Sequence, residues 1–392
     1  MISRYKTILF LLLVLSGIVN AEPAPLLTLQ SAVDIAVQDN PSLAQIQARS
    51  EAMAAIPSQL GSLPDPVISF NALNLPVDTF DLGQENMTQM QGGISQAFPF
   101  FGKLALREQA ATYQAEAASY DVTEARFRLL RDVKKNWWTL FYLHRALDII
   151  IVNQNLLRQF VKIARTKYEV GEGLQQDVLL AQLELSKLLD TEIRLTGAIA
   201  RAKAQLNALL DQPANHKINI PKQTAEDLPV LQSESTLFAQ AETYRALLAS
   251  KRESIRAAQS RLALAEKDFY PDFKIGAYYG GRADMLSGQE RADFLSLKLS
   301  MTVPIFAATK QRKAVDQRHS ELMQQRYALQ DQWNNVRAEI STAYSEFQQS
   351  KNQVVLFKTG IIPQARQTVA SMLAGYQVNK VDFLNQIGRA HV

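Results

Sequence analysis

Gln96-Ala97-Phe98-Pro99-Phe100-Phe101 introduces a long helical stretch, and Met301-Thr302-Val303-Pro304-Ile305-Phe306 does the same, with the prolines 205 positions apart (304 − 99). Outward from these, Lys167-Tyr168-Glu169-Val170-Gly171 closes the first helical stretch. Ala374-Gly375-Tyr376-Gln377-Val378-Asn379 closes the second, with tyrosines 208 apart (376 − 168). Upstream, Leu63-Pro64-Asp65-Pro66 and Phe269-Tyr270-Pro271-Asp272 each end a helix and open a strand-like run. Each half therefore reads helix, strand, strand, long helix, tight turn, helix. Solenoid repeats run about 20–50 residues, so a period this long marks a duplicated domain. Between the halves, Leu210–Ser235 carries Pro213, Pro221 and Pro229 and reads as an irregular connector.

The helices are long. Lys103 to Val170 contains neither proline nor glycine, and an unbroken helix of that length would approach about 100 Å. Leu130, Val133, Trp137, Leu140, His144, Leu147 and Ile151 alternate spacings of three and four, the pattern of a coiled-coil seam. Leu329, Trp333, Val336, Ile340, Ala343 and Phe347 repeat it in the second half. The return helix Gln175–Leu210 repeats it again with Val178, Leu185, Leu188 and Leu189, then Ile199, Leu206 and Leu209. Helices of this length suit a tube or stalk better than a compact globule.

The strand-like runs alternate with period two. Leu295, Leu297, Leu299, Met301 and Val303 share one face, opposite Ser296, Lys298, Ser300 and Thr302. Phe273, Ile275, Ala277 and Tyr279 oppose Lys274, Gly276 and Tyr278. Met90, Gly92, Ile94 and Phe98 oppose Gln89, Gln91, Gly93 and Ser95, while Val67–Leu73 is less regular. Two readings fit the alternation: a half-buried sheet packed on helices, or barrel strands with lipid outside and a polar lumen. Four strands do not close a barrel alone, so the second reading requires an oligomer.

Composition removes several classes. The 392 residues hold 42 basic and 38 acidic side chains and no cysteine. Disulfide scaffolds, thiolate metal sites, cysteine nucleophiles and acylation at an N-terminal cysteine are therefore excluded. No basic patch suits a nucleic acid. There is no HExxH, GxSxG or phosphate loop, so no enzyme, cofactor or resident metal is expected. His144 sits on an apolar seam with no second histidine one turn away, which favours a packed histidine over a metal ligand. Met87 and Met90 read as lipid- or core-facing rather than as soft-metal ligands.

Met1–Ala21 reads as a secretory signal: Arg4 and Lys6, then apolar Thr7–Val19, then the small-residue exit Val19-Asn20-Ala21. The apolar run falls short of the roughly 20 residues that span a bilayer, and no later stretch approaches that length. Any crossing of a membrane by the mature chain must use strands.

From Leu27 to Gln386 the chain resembles the outer-membrane efflux proteins, the TolC-like channels. The resemblance is carried by Leu29-Gln30-Ser31-Ala32-Val33, Asn40-Pro41-Ser42-Leu43, Leu63-Pro64-Asp65-Pro66 and Ser95-Gln96-Ala97-Phe98-Pro99 with Gly102-Lys103. It continues through Tyr168-Glu169-Val170-Gly171 with Asp177, Ala265 to Phe273, and Tyr376 with Val381-Asp382-Phe383-Leu384. Within the family, Pro64-Asp65-Pro66 and Phe98 to Lys103 look most like the heavy-metal (CzcC-like) branch. The resemblance implies a mainly α fold with a membrane β-barrel portion, formed as a homotrimer with a twelve-stranded barrel and an α-helical tunnel. It implies residence in the outer membrane of a Gram-negative bacterium, extending into the periplasm. It further implies a periplasmic adaptor and an inner-membrane RND pump as partners, with no nucleic acid.

On that resemblance, Tyr168, Val170, Gly171, Gly173, Tyr376 and Val378 lie at the periplasmic tip that meets the adaptor. Asp177, Tyr376, Lys380, Asp382 and Asn385 lie at the tunnel entrance. Some relatives carry a second carboxylate where this chain has Asn385, so an acidic ring here would hold one charge per copy, from Asp382. Ile94, Leu295, Leu297, Leu299 and Met301 would face lipid. The expected function is passive conduction of metal ions or small toxic compounds out of the periplasm. The competing expectation is a soluble periplasmic coiled-coil interaction protein.

The expected organisation is a signal over 1–21, a first repeat over 22–228 and a second repeat over 229–386. Ile387-Gly388-Arg389-Ala390-His391-Val392 reads as one frame of a sequencing-adapter sequence. The second repeat is accordingly expected to be cut short, without the return helix that follows Asp177 in the first.

Overall fold

The computed structural model of the chain describes residues 26–224 and 229–377. The first half forms α1 (Leu29–Asp39), α2 (Pro41–Ala54), α3 (Ile56–Gly61), β1 (Val67–Leu73), β2 (Gln89–Phe98), α4 (Lys103–Glu169) and α5 (Gln175–Leu209). The second forms α6 (Glu234–Tyr244), α7 (Ala246–Lys267), β3 (Phe273–Gly281), β4 (Phe294–Met301), α8 (Gln311–Leu356) and α9 (Ile362–Gln377). The proline-marked junctions after β2 and β4 each lead into a long helix, as the repeated hexapeptides predict. The expected signal segment and everything from Val378 onward lie outside the described residues. The described residues form two compact units, residues 26–36 with 133–224, and residues 37–132 with 229–377.

In the first unit, α4 buries Val133, Trp137, Leu140, Leu157 and Ala164, and α5 buries Ala181, Leu188, Ile199, Ala202 and Leu206. The seam predicted through Ile151 departs from expectation, since Ile151 is exposed and Gln154 is buried in its place. A straight α-helix drifts by about 20° per heptad against a 3.5-residue repeat, so the buried stripe leaves the predicted line. Gln154 meets its polar needs inside the seam. Its Nε2 donates to the Leu188 carbonyl (3.3 Å) and the Glu192 carboxylate (2.7 Å), and its Oε1 accepts from Arg158 (3.2 Å). Leu189, also predicted on the seam, is exposed. Trp137 stacks on Phe141 at 5.7 Å between centroids and donates Nε1–H to the Leu27 carbonyl at 2.9 Å. The Leu27 N–H in turn donates to the carbonyl of Asn219 in the connector (2.7 Å).

The second unit is built on one antiparallel sheet in the order β1-β2-β3-β4. One row across it runs Ile68, Ile94, Ala277, Leu297, and the next row on that face runs Phe70, Gly92, Tyr279, Leu295. The opposite face carries Ser69, Gly93, Tyr278 and Ser296 in register. Gly93 and Gly276 have a specific use there: the Tyr278 ring lies across both, and a Cβ at either would collide with it. Helices α7 and α8 are in contact, with Ala257, Ala258 and Ala265 of α7 and Leu322 and Val336 of α8 buried.

Buried Glu124 of α4 anchors this unit. It accepts a forked pair from Arg245 (3.0 and 2.9 Å) and a third bond from Arg128 (3.2 Å), while Glu339 of α8 lies 3.7 Å from Arg245. The stretch after Arg312 was expected to be one helix. A π turn, Phe357–Ile361, interrupts it instead. Pro363 supplies no N–H for the usual i→i−4 ladder, and the preceding Ile362 N–H reaches back five residues to the Phe357 carbonyl.

Candidate functional site

The sheet separates its residues by polarity more sharply than its strands do singly. The apolar face presents Ile68, Phe70, Met90, Ile94, Ile275, Tyr279, Leu295, Leu297, Leu299 and Met301, all exposed, with Phe70 at 83% and Leu297 at 80%. On the other face Ser95 and Gln89 are 5% and 8% exposed. Water-facing sheets expose their polar side and bury the apolar one. The central strands β2 and β3 come closest to the reverse, the pattern of strands that face hydrocarbon, while residues on both faces of the edge strand β4 are exposed. The residues expected on that face, Ile94, Leu295, Leu297, Leu299 and Met301, all lie on it. Ile68, Phe70, Ile275 and Tyr279 extend it to all four strands. Among the described residues, the outer edges of β1 and β4 have no paired strand.

At one end, the hairpin loops are stitched by two arginines. Arg291 donates to the carbonyls of Glu85 (2.6 Å) and Leu82 (2.9 Å), and Arg282 to that of Asn86 (3.2 Å). At the opposite end, Lys103 at the start of α4 is 3% exposed, with Nζ 2.9 Å from Asp272 and 3.2 Å from Asp268. The same ammonium donates to the Tyr270 carbonyl (3.1 Å), and Asp272 accepts the Phe100 N–H (2.8 Å). Phe100 stacks on Tyr270 at 4.6 Å. Burial pushes the Asp272 carboxyl up, but the Phe100 N–H and the Lys103 ammonium outweigh it and hold the group below the ordinary range. The Gly102-Lys103 and Pro271-Asp272 motifs are thus the two sides of one seam.

In the first unit, α4 and α5 are joined by a sharp turn. Gly171 has φ +76°, and the Gly171 and Glu172 N–H groups bond the carbonyls of Tyr168 (3.1 Å) and Lys167 (2.8 Å). This is a Schellman closure, which calls for a left-handed residue. A Cβ on Gly173 would lie 2.9 Å from the Lys167 side chain. The turn exposes Tyr168, Val170 and Leu174, and buries Asp177 in the first turn of α5. A carboxylate there complements the helix N-terminus. Leu174 was not anticipated; its only signal is an apolar residue beside two turn glycines. Tyr376 falls in the last turn of α9, with its side chain beyond what is described, and Val378, Lys380, Asp382 and Asn385 lie outside the described residues.

His144 borders a cavity of about 650 Å³ in the first unit with Leu26, Arg145, Asp148 and Lys203. Its Nε2 has no hydrogen-bond partner among the described residues. Burial, and then Lys203, lower its pKa. Two cationic neighbours make this a poor place for a metal ion. Among the described residues no group of three or more His, Asp or Glu is suited to hold one. Among the described residues, no helix is long and apolar enough to cross a membrane.

One four-stranded sheet with an exposed apolar face, in a chain whose helices run 67, 35 and 46 residues, defines the class of fold: a small sheet with long helices. The chain belongs to the outer membrane efflux protein family, whose model matches residues 32–212 and 237–383. It is 24% identical over 283 residues to the outer membrane efflux protein BepC of Brucella suis biovar 1 (strain 1330), covering 71% of this chain. The chain spans 57% of that curated relative's length. Its fold is similar to the outer-membrane channel OprN, with a TM-score of 0.77 and 17% identity over 93% of this chain and 83% of that one. VceC of Vibrio cholerae matches with a TM-score of 0.77 and 18% identity over 93% and 89% of the two chains. CusC gives 0.75 and 16% over 93% and 85%. The family is one of efflux proteins, not enzymes, and its place is the outer membrane, extending into the periplasm.

Proposed function

We propose that this chain forms the outer-membrane exit duct of a tripartite efflux system. Three copies, each giving four strands, close a twelve-stranded barrel, and their long helices form a periplasmic tunnel. The observation that carries this reading is the sheet, whose apolar face is exposed on all four strands and whose two edges have no paired strand among the described residues. Exposed Leu179, Leu183 and Ile193 on α5 support it, since they are apolar surface for neighbouring helices to cover. The duct does no chemistry, and the energy comes from an inner-membrane RND pump. Tyr168, Val170, Gly171, Gly173 and Leu174, with Tyr376 and Val378 of the second repeat, form the tip that meets a periplasmic adaptor. Asp177, Tyr376, Lys380, Asp382 and Asn385 surround the entrance.

The cargo in this reading is metal ions or small toxic compounds, with the heavy-metal branch favoured by the Pro64-Asp65-Pro66 and Phe98-to-Lys103 motifs. Membrane fractionation tests the duct. A heat-modifiable trimer in the outer membrane supports it, and a soluble monomer would remove it and leave the competing reading, a periplasmic coiled-coil interaction protein. Deleting the gene tests the cargo: lost tolerance to divalent metals and not to organic drugs supports the metal branch, and the reverse pattern removes it.

A further inference from the structure

The seam between β2 and β3 joins the two sequence repeats, and its residues have counterparts at the sheet's two open edges. Asp272 corresponds to Asp65 and Lys103 to Lys310, both at a spacing of 207 (272 − 65 and 310 − 103). Tyr270 corresponds to Leu63 at that spacing, and Phe100 to Ile305, each being the residue after the strand-ending proline. At the internal seam Lys103 bonds Asp272 and Phe100 stacks on Tyr270. Their counterparts are idle. Neither Lys310 nor Asp65 has an ion-pair partner among the described residues, and Leu63 and Ile305 are both exposed large apolar side chains. Lys310 and Ile305 border a cavity of about 370 Å³ beside the Lys103 cluster, where Lys103 already holds Asp268 and Asp272.

In the proposed duct β4 of one copy meets β1 of the next, and we infer that this junction rebuilds the internal seam, with Lys310 of one copy paired to Asp65 of the next and Ile305 packed on Leu63. Charge complementarity fixes the partner, because the two edges of one copy carry opposite signs at matching positions. The contact is head-to-tail, so it repeats from copy to copy and makes a ring when the rotation closes, as the proposed duct requires. Copying the Ser95–Gly276 pairing of the internal seam predicts that Ser300 of β4 faces Ser69 of the neighbour's β1. The inference rests on the proposed duct and adds the residues that hold its subunits in register.

The chain has no cysteine, so engineered pairs report without background. Mild oxidation of the full chain carrying Ser69→Cys and Ser300→Cys, in outer membranes, is expected to give covalent oligomers on non-reducing gels. Ser69→Cys with Lys298→Cys, two residues out of register, is expected to stay uncrosslinked. Charge reversal by Lys310→Asp or Asp65→Lys alone should lower the temperature at which the oligomer dissociates, and the double exchange should restore it. An oligomer that links through the shifted pair overturns the register. An oligomer indifferent to all three charge variants overturns the ion pair while the duct stands. Absence of any wild-type oligomer from membranes overturns the duct itself.

Discussion

Glu124 shows what one side chain contributes. It is buried and held by Arg245 and Arg128. Burial raises its carboxyl pKa, but the two guanidinium groups outweigh this and bring it below the ordinary value. A native pKa below the unfolded one adds stability that is full above the unfolded value and is lost as pH falls through the native one. Glu124→Gln leaves Arg245 half-satisfied and is expected to cost about 1.5–3 kcal/mol at neutral pH, the range for a lost hydrogen bond to a charged group. Thermal melts should show the wild type converging on the variant as pH drops below about 4, the ordinary carboxylate range. A constant gap across pH would contradict the assignment. Lys103 tells a related story about legibility. Its motif is plain in the sequence, yet its carboxylate partners stand more than 160 positions away, and only the strand register brings them to it.

At the scale of elements, the strands and long helices were legible because their periods are physical necessities. β1 was the weak point. Val67 and Leu73 place apolar residues at both ends of its polar face, which blurs the alternation that Ile68 and Phe70 carry. The seam through Ile151 failed for a complementary reason, since Gln154 satisfies itself through Leu188 and Glu192, residues a pattern along one helix cannot include. The interruption of α8 and α9 had a visible cue in Pro363, which the helical periodicity on either side masked. Two outcomes test this layer. Leu297→Arg on the outward face should cost about 2–4 kcal/mol if that face meets hydrocarbon, depleting heat-modifiable protein from membranes, whereas Ser296→Arg should be tolerated. Gly171→Ala forces a left-handed backbone on an L residue, at about 1–2 kcal/mol, and should lower the melting temperature followed by helical circular dichroism.

For the whole molecule, the proposed tip makes a separable prediction. Val170→Asp with Leu174→Asp puts charge on exposed apolar positions and disturbs no buried contact. The variant is expected to reach the outer membrane in normal amounts while losing pump-dependent export, measured as cargo accumulation in cells. Unchanged export would remove the tip from the adaptor interface. The candidate residues beyond Gln377 lie outside the described residues, so the entrance was legible only through family resemblance. The sheet face, by contrast, follows from alternation and register together.

The two hairpin loops hold one further lesson. Arg282 and Arg291 reach main-chain carbonyls of Leu82, Glu85 and Asn86, and not their side chains. Every residue offers a carbonyl, so the loops can change their side chains without losing the ties that shape them. A saturation library at residues 82, 84, 85, 86, 282 and 291 should therefore accept most replacements at the first four positions, with intolerance concentrated at the two arginines; Gly83 is set apart because a Cβ there would meet the Asp284 carbonyl at 2.7 Å. Such loops are free to diversify under selection while the strands beneath them stay constant.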